Sequence, residues 1–273
     1  MSETPCFIKL PMRGLIEIEG PDRYDFLQRL ITQDIKKLEN QPVIYGCLLT
    51  PQGKFLHDFF ISEGPDVLLL DCEGLERAED LYERLDKYKM RADVRVSVEP
   101  RSPVFICYGI TPRPGYMDPR HDALGWRSFT KPEDDGIEEK PFAFWDAQRI
   151  KLGIADGSRD ALIEKSTVAE LNIDQHHGVS FEKGCYVGQE LTARMKHRGL
   201  AKKHLYPVTG DLPVPSTQIE RDGKVIGLMR SQCNDNNIEN EAKGERLGLA
   251  LLKDDDKDLF ETEQTKLYSS LPG

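Results

Sequence analysis

The chain has 273 residues, 38% hydrophobic and 31% charged, an ordinary globular composition with material for more than one small core. Its net charge of −10 argues against general nucleic-acid binding, which rests on neutralising phosphates. No apolar run approaches the roughly 20 residues that cross a bilayer. The opening MSETPCFIKLPMRG resembles neither a secretory leader nor a transit peptide, so the sequence predicts a cytoplasmic protein with no membrane or direct nucleic-acid partner.

Residues 15–20 (LIEIEG) read as a strand. Residues 21–40 read as a helix, with Pro21 in its first turn and Phe26, Leu27, Leu30, Ile31, Ile35 and Leu38 as one apolar stripe. VIYGCLLT and KFLHDFFIS form a hairpin around PQGK, DVLLLDC is a further strand, LERAEDLYERLDKYK an amphipathic helix and ADVRVSV a closing strand. So short a hairpin forces antiparallel pairing, which makes this α+β material. VFICYGI begins a second unit with long loops over 109–136, a strand near 124–129 and helices around 144–151 and 167–173. A β-rich end follows: HLYPVTG, a hairpin turning at Asp222-Gly223, and ERLGLALLK, with a polar loop over 234–245 and an acidic tail after Lys253. The expected division is two α+β subdomains, 1–100 and 101–200, then a β-barrel over 201–255 and a polar tail over 256–273.

Six cysteines are present, none paired as CxxC, so an autonomous zinc or iron–sulfur site has no support. Cys47, Cys72 and Cys107 lie in apolar strands and read as small buried hydrophobes. Cys185 is different. It sits in KGCYVGQELTARMKHRG (183–199), which reads as a helix opening just after the thiol, where outward-pointing amides favour a thiolate. Lys183, Arg194 and Arg198 add positive charge nearby. Helical spacing puts Cys185, Gln189, Thr192 and Lys196 on a polar face and Val187, Leu191 and Met195 on a buried one. Glu190 and Arg194 are spaced i,i+4 in the favourable order. Residues 194–204 carry Arg194, Lys196, Arg198, Lys202 and Lys203 without an acid. That is either a solvated basic loop or the site of an anionic ligand or partner.

The block KGCYVGQE followed by ARMKHRG resembles the hallmark of the YgfZ family, which includes related mitochondrial iron–sulfur assembly factors. GLIEIEGPDRYDFLQRLITQDI and GCLLTPQGKFLHDF resemble that family's opening strand, helix and hairpin, so the likeness runs from about residue 14 to 205. The resemblance implies the glycine-cleavage T-protein fold: three subdomains around a central opening, mostly antiparallel sheets and a C-terminal β-barrel. It implies tetrahydrofolate or a related folate in that opening, and support of iron–sulfur cluster assembly or repair in client enzymes, tRNA-modifying ones among them. The family's functional cysteine carries over to Cys185, a candidate shared ligand to an iron–sulfur cluster held with a partner. Asp58 (in HDFFIS) falls where T-proteins place a carboxylate beside folate's reactive nitrogen. On this resemblance the expected folate contacts are Gln33, Asp34, Asp58, Trp145, Lys183, Tyr186, Gln189, Glu190, Arg194 and Arg198.

A tetrahydrofolate-dependent aminomethyltransferase is the alternative. Against it, T-proteins have an acid in place of Cys185, and Lys151 stands where they carry a pterin-reading Glu. Lysine has no acceptor for the pterin's paired donors. Gln33 and Asp34 serve equally as caps or salt-bridge partners of the first helix, Glu164 reads equally as facing the opening or as a solvated helix-start acid, and Trp145 reads as a core tryptophan. Adjacent His176 and His177 do not share a helical face, which disfavours a metal site there.

Overall fold

The chain begins with strands β1 (Cys6–Leu10) and β2 (Arg13–Glu19), then helix α1 (Arg23–Gln28) and a 3-10 turn (Ile35–Glu39). Strands β3 (Val43–Leu49), β4 (Phe55–Gly64) and β5 (Val67–Glu73), helix α2 (Glu76–Lys89) and strand β6 (Arg95–Glu99) follow. Next come β7 (Val104–Tyr108), β8 (Tyr116–Met117), β9 (Trp126–Ser128), β10 (Glu138–Glu139), α3 (Phe142–Lys151), α4 (Gly157–Asp160) and α5 (Gln189–Arg198). The last strands are β11 (Lys203–Gly210), β12 (Gln218–Arg221), β13 (Lys224–Asn234), β14 (Arg246–Lys253) and β15 (Thr265–Leu267). This computed structural model describes residues 4–99, 103–133, 136–234 and 246–268; the loop expected over 234–245 lies outside them beyond Asn234, as do 269–273.

Three five-stranded sheets result, ordered β3-β4-β5-β2-β6, β10-β1-β7-β9-β8 and β12-β13-β14-β11-β15. Every pairing is antiparallel except β1 with β10. The first strand of the chain therefore belongs to the second sheet, opposite β7. The expected C-terminal barrel is corrected: β12 and β15 each pair on one side only, so the third sheet is a half-barrel with two edges. Its β12–β13 hairpin turns at Asp222-Gly223, both at positive φ (52° and 75°), the conformation a two-residue hairpin loop requires.

The apolar stripe of residues 26–38 is buried throughout, as its spacing predicts, but the helix is not continuous. It stops at Gln28 because Ile31 bridges to Leu48 and Thr32 turns to the strand, its N–H donating to Cys47 O at 2.9 Å. The helix expected at 167–173 is a run of turns broken at Asn172, whose φ is 58°. Beyond Lys253 the chain continues as a 3-10 turn over Asp254–Phe260 with Phe260 buried, then as β15. In β4 all of Phe55–Ser62 is buried, because α1 and α2 cover one face of the first sheet and the chain's second core covers the other.

His57 of β4 is buried and bonds to α2. Its Nε2–H donates to Asp80 Oδ2 (2.7 Å), and its Nδ1 accepts from Arg77 Nη2 (3.1 Å), a pattern that needs the neutral ring. Burial, and then the Arg77 charge, lower its pKa from 6.5 to about 4. The folded pKa lies below the unfolded one, so its contribution to stability is complete above pH 6.5 and is lost as pH falls toward 4. In urea titrations at pH 7.5 and pH 5, the wild type is expected to lose about 2 kcal/mol more unfolding free energy than His57→Gln loses.

Candidate functional site

The signature segment is strapped along the chain after α1. Ser180 N–H donates to Thr32 O (2.9 Å), Val187 N–H donates to Arg29 O (3.1 Å), and Thr32 Oγ1 donates to Gly178 O (2.6 Å). Lys183 is the clamp. Its buried Nζ donates to the carbonyls of Gln28 (2.7 Å), Ile31 (2.9 Å) and Gln33 (2.8 Å), using all three ammonium protons. These carbonyls lie at and just beyond the end of α1, where the helix leaves its acceptors unpaired. Burial pulls the lysine's pKa down to about 8, with the Asp34 charge opposing.

On the other side the segment meets the β3–β4 hairpin. Gly188 has φ 84°, and a Cβ there would lie 2.7 Å from Thr50 O and 3.1 Å from Gly53 Cα. Gly53 in turn has φ 75° and would clash with Gly188 O at 2.9 Å. Two glycines from sequence-distant motifs thus permit one backbone contact. Gly188 caps α5, which begins at Gln189 and not just after Cys185, so the thiol precedes the helix by four residues. The predicted helical faces are corrected accordingly. Thr192 is the buried residue, its Oγ1 donating to Gly188 O at 3.2 Å, while Leu191 and Met195 are half-buried. Clamped on both sides, the turn leaves Cys185 exposed, the other described cysteines being buried. A Cβ on the adjoining Gly184 would meet nothing within 4 Å.

The remaining expected contacts do not form one constellation. Tyr186 is buried in the second core beneath Lys183, 5.1 Å from its Nζ to the ring centroid, and burial raises its phenol to about 12. Asp34 caps the 3-10 turn, accepting from Lys36 N–H (3.1 Å) and Gln28 Nε2 (2.9 Å). Gln33 is buried and donates to His177 O; it lines a cavity of about 380 Å³ with Tyr45, Asp118 and His177. Gln189 is half-buried, Glu190 and Arg194 form an exposed pair at 3.1 Å, and Arg198 is exposed. None of Asp34, Lys183, Tyr186, Gln189, Glu190, Arg194 or Arg198 lines that cavity or the one described next. Glu164 is exposed and pairs with Arg84 at 3.4 Å. No group of three metal-ligating side chains occurs among the described residues, His176 and His177 included.

A second cavity, about 420 Å³, lies where β1–β2, α3 and α4 converge, lined by Arg13, Glu73, Phe142, Trp145, Asp156 and Arg159 among others. Trp145 is a buried core residue, yet its indole N–H has no partner among the described residues. Asp58 adjoins this cavity behind Gly157, where a Cβ would come 3.4 Å from its Oδ1. It is a buried mid-strand residue, accepting from Tyr45 Oη at 2.8 Å. Burial raises its pKa against the opposing Arg13 charge and Tyr45 hydrogen bond. Burial likewise acts to raise Asp156, but Arg149 and Arg159 overcome it and hold that carboxyl at about 2.

Around this cavity runs a buried ionic network that sequence reading missed. Asp71 of β5 binds Arg13 (2.7 Å) and Arg127 of β9, and Asp118 pairs with Arg120 (2.9 Å) and Arg127 (3.5 Å). Arg127 and Arg120 lie over the Phe60 ring at 3.9 and 4.8 Å. Arg149 of α3 binds Asp146 (2.6 Å), Asp160 (2.6 Å) and Ser231 Oγ (3.0 Å). The available signal was charge in an apolar run: Asp71 alone in VLLLDC, and Asp146 with Arg149 in FAFWDAQRI.

No protein-family model matches the chain. It is 33% identical over 225 residues to the mitochondrial iron–sulfur cluster assembly factor IBA57 homolog of Pyricularia oryzae, covering 75% of this chain and 57% of that protein. It is 30% identical over 267 residues to the mitochondrial iron–sulfur cluster assembly factor IBA57 of Homo sapiens, covering 83% and 74%. The counterpart in Mus musculus is also 30% identical, over 250 residues, covering 78% and 68%. The chain spans less than two thirds of its fungal relatives, 57% in P. oryzae and 58% in Mycosarcoma maydis. These relatives are named as mitochondrial, which overturns the cytoplasmic expectation. The glycine cleavage system aminomethyltransferase T of Bartonella henselae superposes with a TM-score of 0.71 at 14% identity, over 93% of this chain and 80% of that one, and shares its fold.

Lys183→Met removes one donor from three carbonyls at once. Urea unfolding should show a loss of about 3 kcal/mol, and iodoacetamide should alkylate Cys185 at a changed rate as the turn loosens.

Proposed function

The chain belongs to the iron–sulfur cluster assembly factor IBA57 family, and on that premise we propose that it takes part in iron–sulfur cluster assembly through Cys185. The observation that carries this reading is the exposure of Cys185 on a turn fixed from both sides, by Lys183 and by the Gly53–Gly188 contact. Typical clusters take four protein ligands, and one thiolate supplies one. The cluster, as cargo, is therefore shared: Cys185 donates one sulfur ligand and a partner from the assembly machinery, or a client enzyme, provides the rest. Enzymes that modify tRNA are among the proposed clients. The kinship with YgfZ proteins, carried by residues 183–190, is part of the same proposal.

Folate binding is the second element of the proposal. The 420 Å³ cavity is within the size range of small-molecule sites and offers what a flat heteroaromatic ligand needs. Phe142 and Trp145 supply ring surface, and the unpartnered indole N–H of Trp145 supplies a donor. Asp156, held ionised, accepts from ring N–H groups, and Asp58, with its raised pKa, stands behind Gly157 as a carboxyl able to exchange a proton. A bound folate would supply a one-carbon carrier. That same Asp58, on the T-protein fold, favours an aminomethyltransferase as the second reading.

Two measurements test these proposals. Mixed with an iron–sulfur assembly partner and loaded with cluster, the wild type should give a heteromeric complex with the visible absorption and circular dichroism of a protein-bound cluster. Cys185→Ser should not, and equal cluster retention by this variant would sink the shared-ligand reading. In calorimetric titration with tetrahydrofolate, Trp145→Phe should bind about tenfold more weakly through loss of one buried donor. Unaltered affinity would remove this cavity from the proposal, and turnover of an aminomethyl-lipoyl carrier would favour the second reading.

A further inference from the structure

We infer that the end of α5 and the turn after it form a docking surface for an acidic polypeptide segment of the partner that meets Cys185. This inference rests on the proposed role of that cysteine and assigns the partner's chemistry.

The basic run of residues 194–203 is only partly neutralised by its own chain. Arg194 pairs with Glu190 at 3.1 Å, Lys196 with Asp174 at 3.5 Å and Lys203 with Glu170 at 3.1 Å. Arg198 and Lys202, both exposed, have no such carboxylate partner among the described residues. Between them Leu200 is 47% exposed, one of the few large apolar side chains the protein leaves in water. The helix ends there on Gly199 at φ 58°, and a Cβ on Gly199 would meet nothing within 4 Å, so this side of the chain is open. Two unmatched cations four residues apart, with an apolar side chain midway, complement a segment whose carboxylates flank an apolar residue.

The whole chain carries a net charge of −10. An acidic partner is therefore repelled over most of the surface, and the unneutralised cations at the far end of α5 fix where it can land. The reach is adequate. The 10 residues of α5 measure about 15 Å, and the three residues linking Cys185 to the helix add at most about 14 Å. The thiol and Arg198 thus lie within about 30 Å, the breadth of a standard protein interface of about 800 Å² per partner, and Lys202 follows four residues on. Two unmatched cations would displace few counterions from a nucleic acid, which favours the polypeptide.

The test is fluorescence anisotropy on the full chain with three labelled probes: a short Glu-rich peptide with one central Leu, the same peptide with Gln for Glu, and a short single-stranded RNA. Wild type should bind the Glu peptide in preference to the other two. That affinity should fall about tenfold in the double variant Arg198→Glu/Lys202→Glu, and again on raising salt from about 0.05 M to about 0.2 M. Thermal melts must show the double variant folded as wild type. No binding of the Glu peptide, equal binding by the double variant, or tighter binding of the RNA would each overturn the inference. Cys185→Ser separates this inference from the reading it rests on. Lost cluster sharing in a protein that still binds the Glu peptide supports the docking surface, whereas a double variant that binds the peptide normally ends it whatever happens to the cluster.

Discussion

Asp71 is a fully buried carboxylate with one arginine from its own sheet, Arg13, and one from the second sheet, Arg127. Neither arginine has another carboxylate near enough to replace it fully: Arg127 reaches Asp118 only at 3.5 Å. A buried charge left without its partner costs several kcal/mol, so this triad ties the sheets to one relative placement. The same logic repeats toward the third sheet. Arg149 of α3 reaches Asp146, Asp160 and Ser231, while Arg230 of β13 donates to the carbonyls of Asp160 (2.6 Å) and Ala161 (3.1 Å). Such pairs add little net stability against an apolar alternative. Their contribution is placement, and the 420 Å³ cavity is bounded by the residues they fix.

The carboxyls near that cavity are driven apart by these surroundings. Asp156, and Asp118 in the lining of the 380 Å³ cavity, are held below the usual carboxylate range because two arginines face each of them and outweigh burial. Asp58 is raised because its desolvation exceeds what Arg13, Tyr45 and Arg120 return. Each shift follows from the balance between burial and the arginines that face the group, as it does in any buried ion-pair network. The signature turn obeys a different constraint. It is a surface feature made rigid by backbone contacts, with Lys183 spent entirely on carbonyls and two glycines letting main chains touch.

The elements were largely legible in the sequence. The period-2 and period-3.6 patterns marked the strands of the first sheet, α2 and α3, and Asp222-Gly223 marked the hairpin of the third, because local spacing and turn chemistry decide these. The Lys183–Glu190 motif pointed to iron–sulfur assembly, and the relatives bear that out at the level of the family. Where local reading failed, a tertiary contact had overruled it. Residues 21–40 kept their apolar stripe but not one helix, since the Ile31–Leu48 bridge and the Thr32–Cys47 bond pull the chain toward β3. The start of α5 moved to Gln189 because Gly188 had to lie against Gly53.

By itself, then, the sequence determined the apolar periodicity, the turns and the presence of a distinctive thiol, all properties of residues close in the chain. Only the tertiary structure decided that Lys183 faces carbonyls instead of the thiol or an anion, and that Asp58 is buried behind Gly157. It also decided that the last sheet keeps two edges and that Arg198 and Lys202 go unmatched while their neighbours are paired. Each of these depends on which distant groups a charge or backbone meets, and that is set by the packing of three sheets and not by any local pattern.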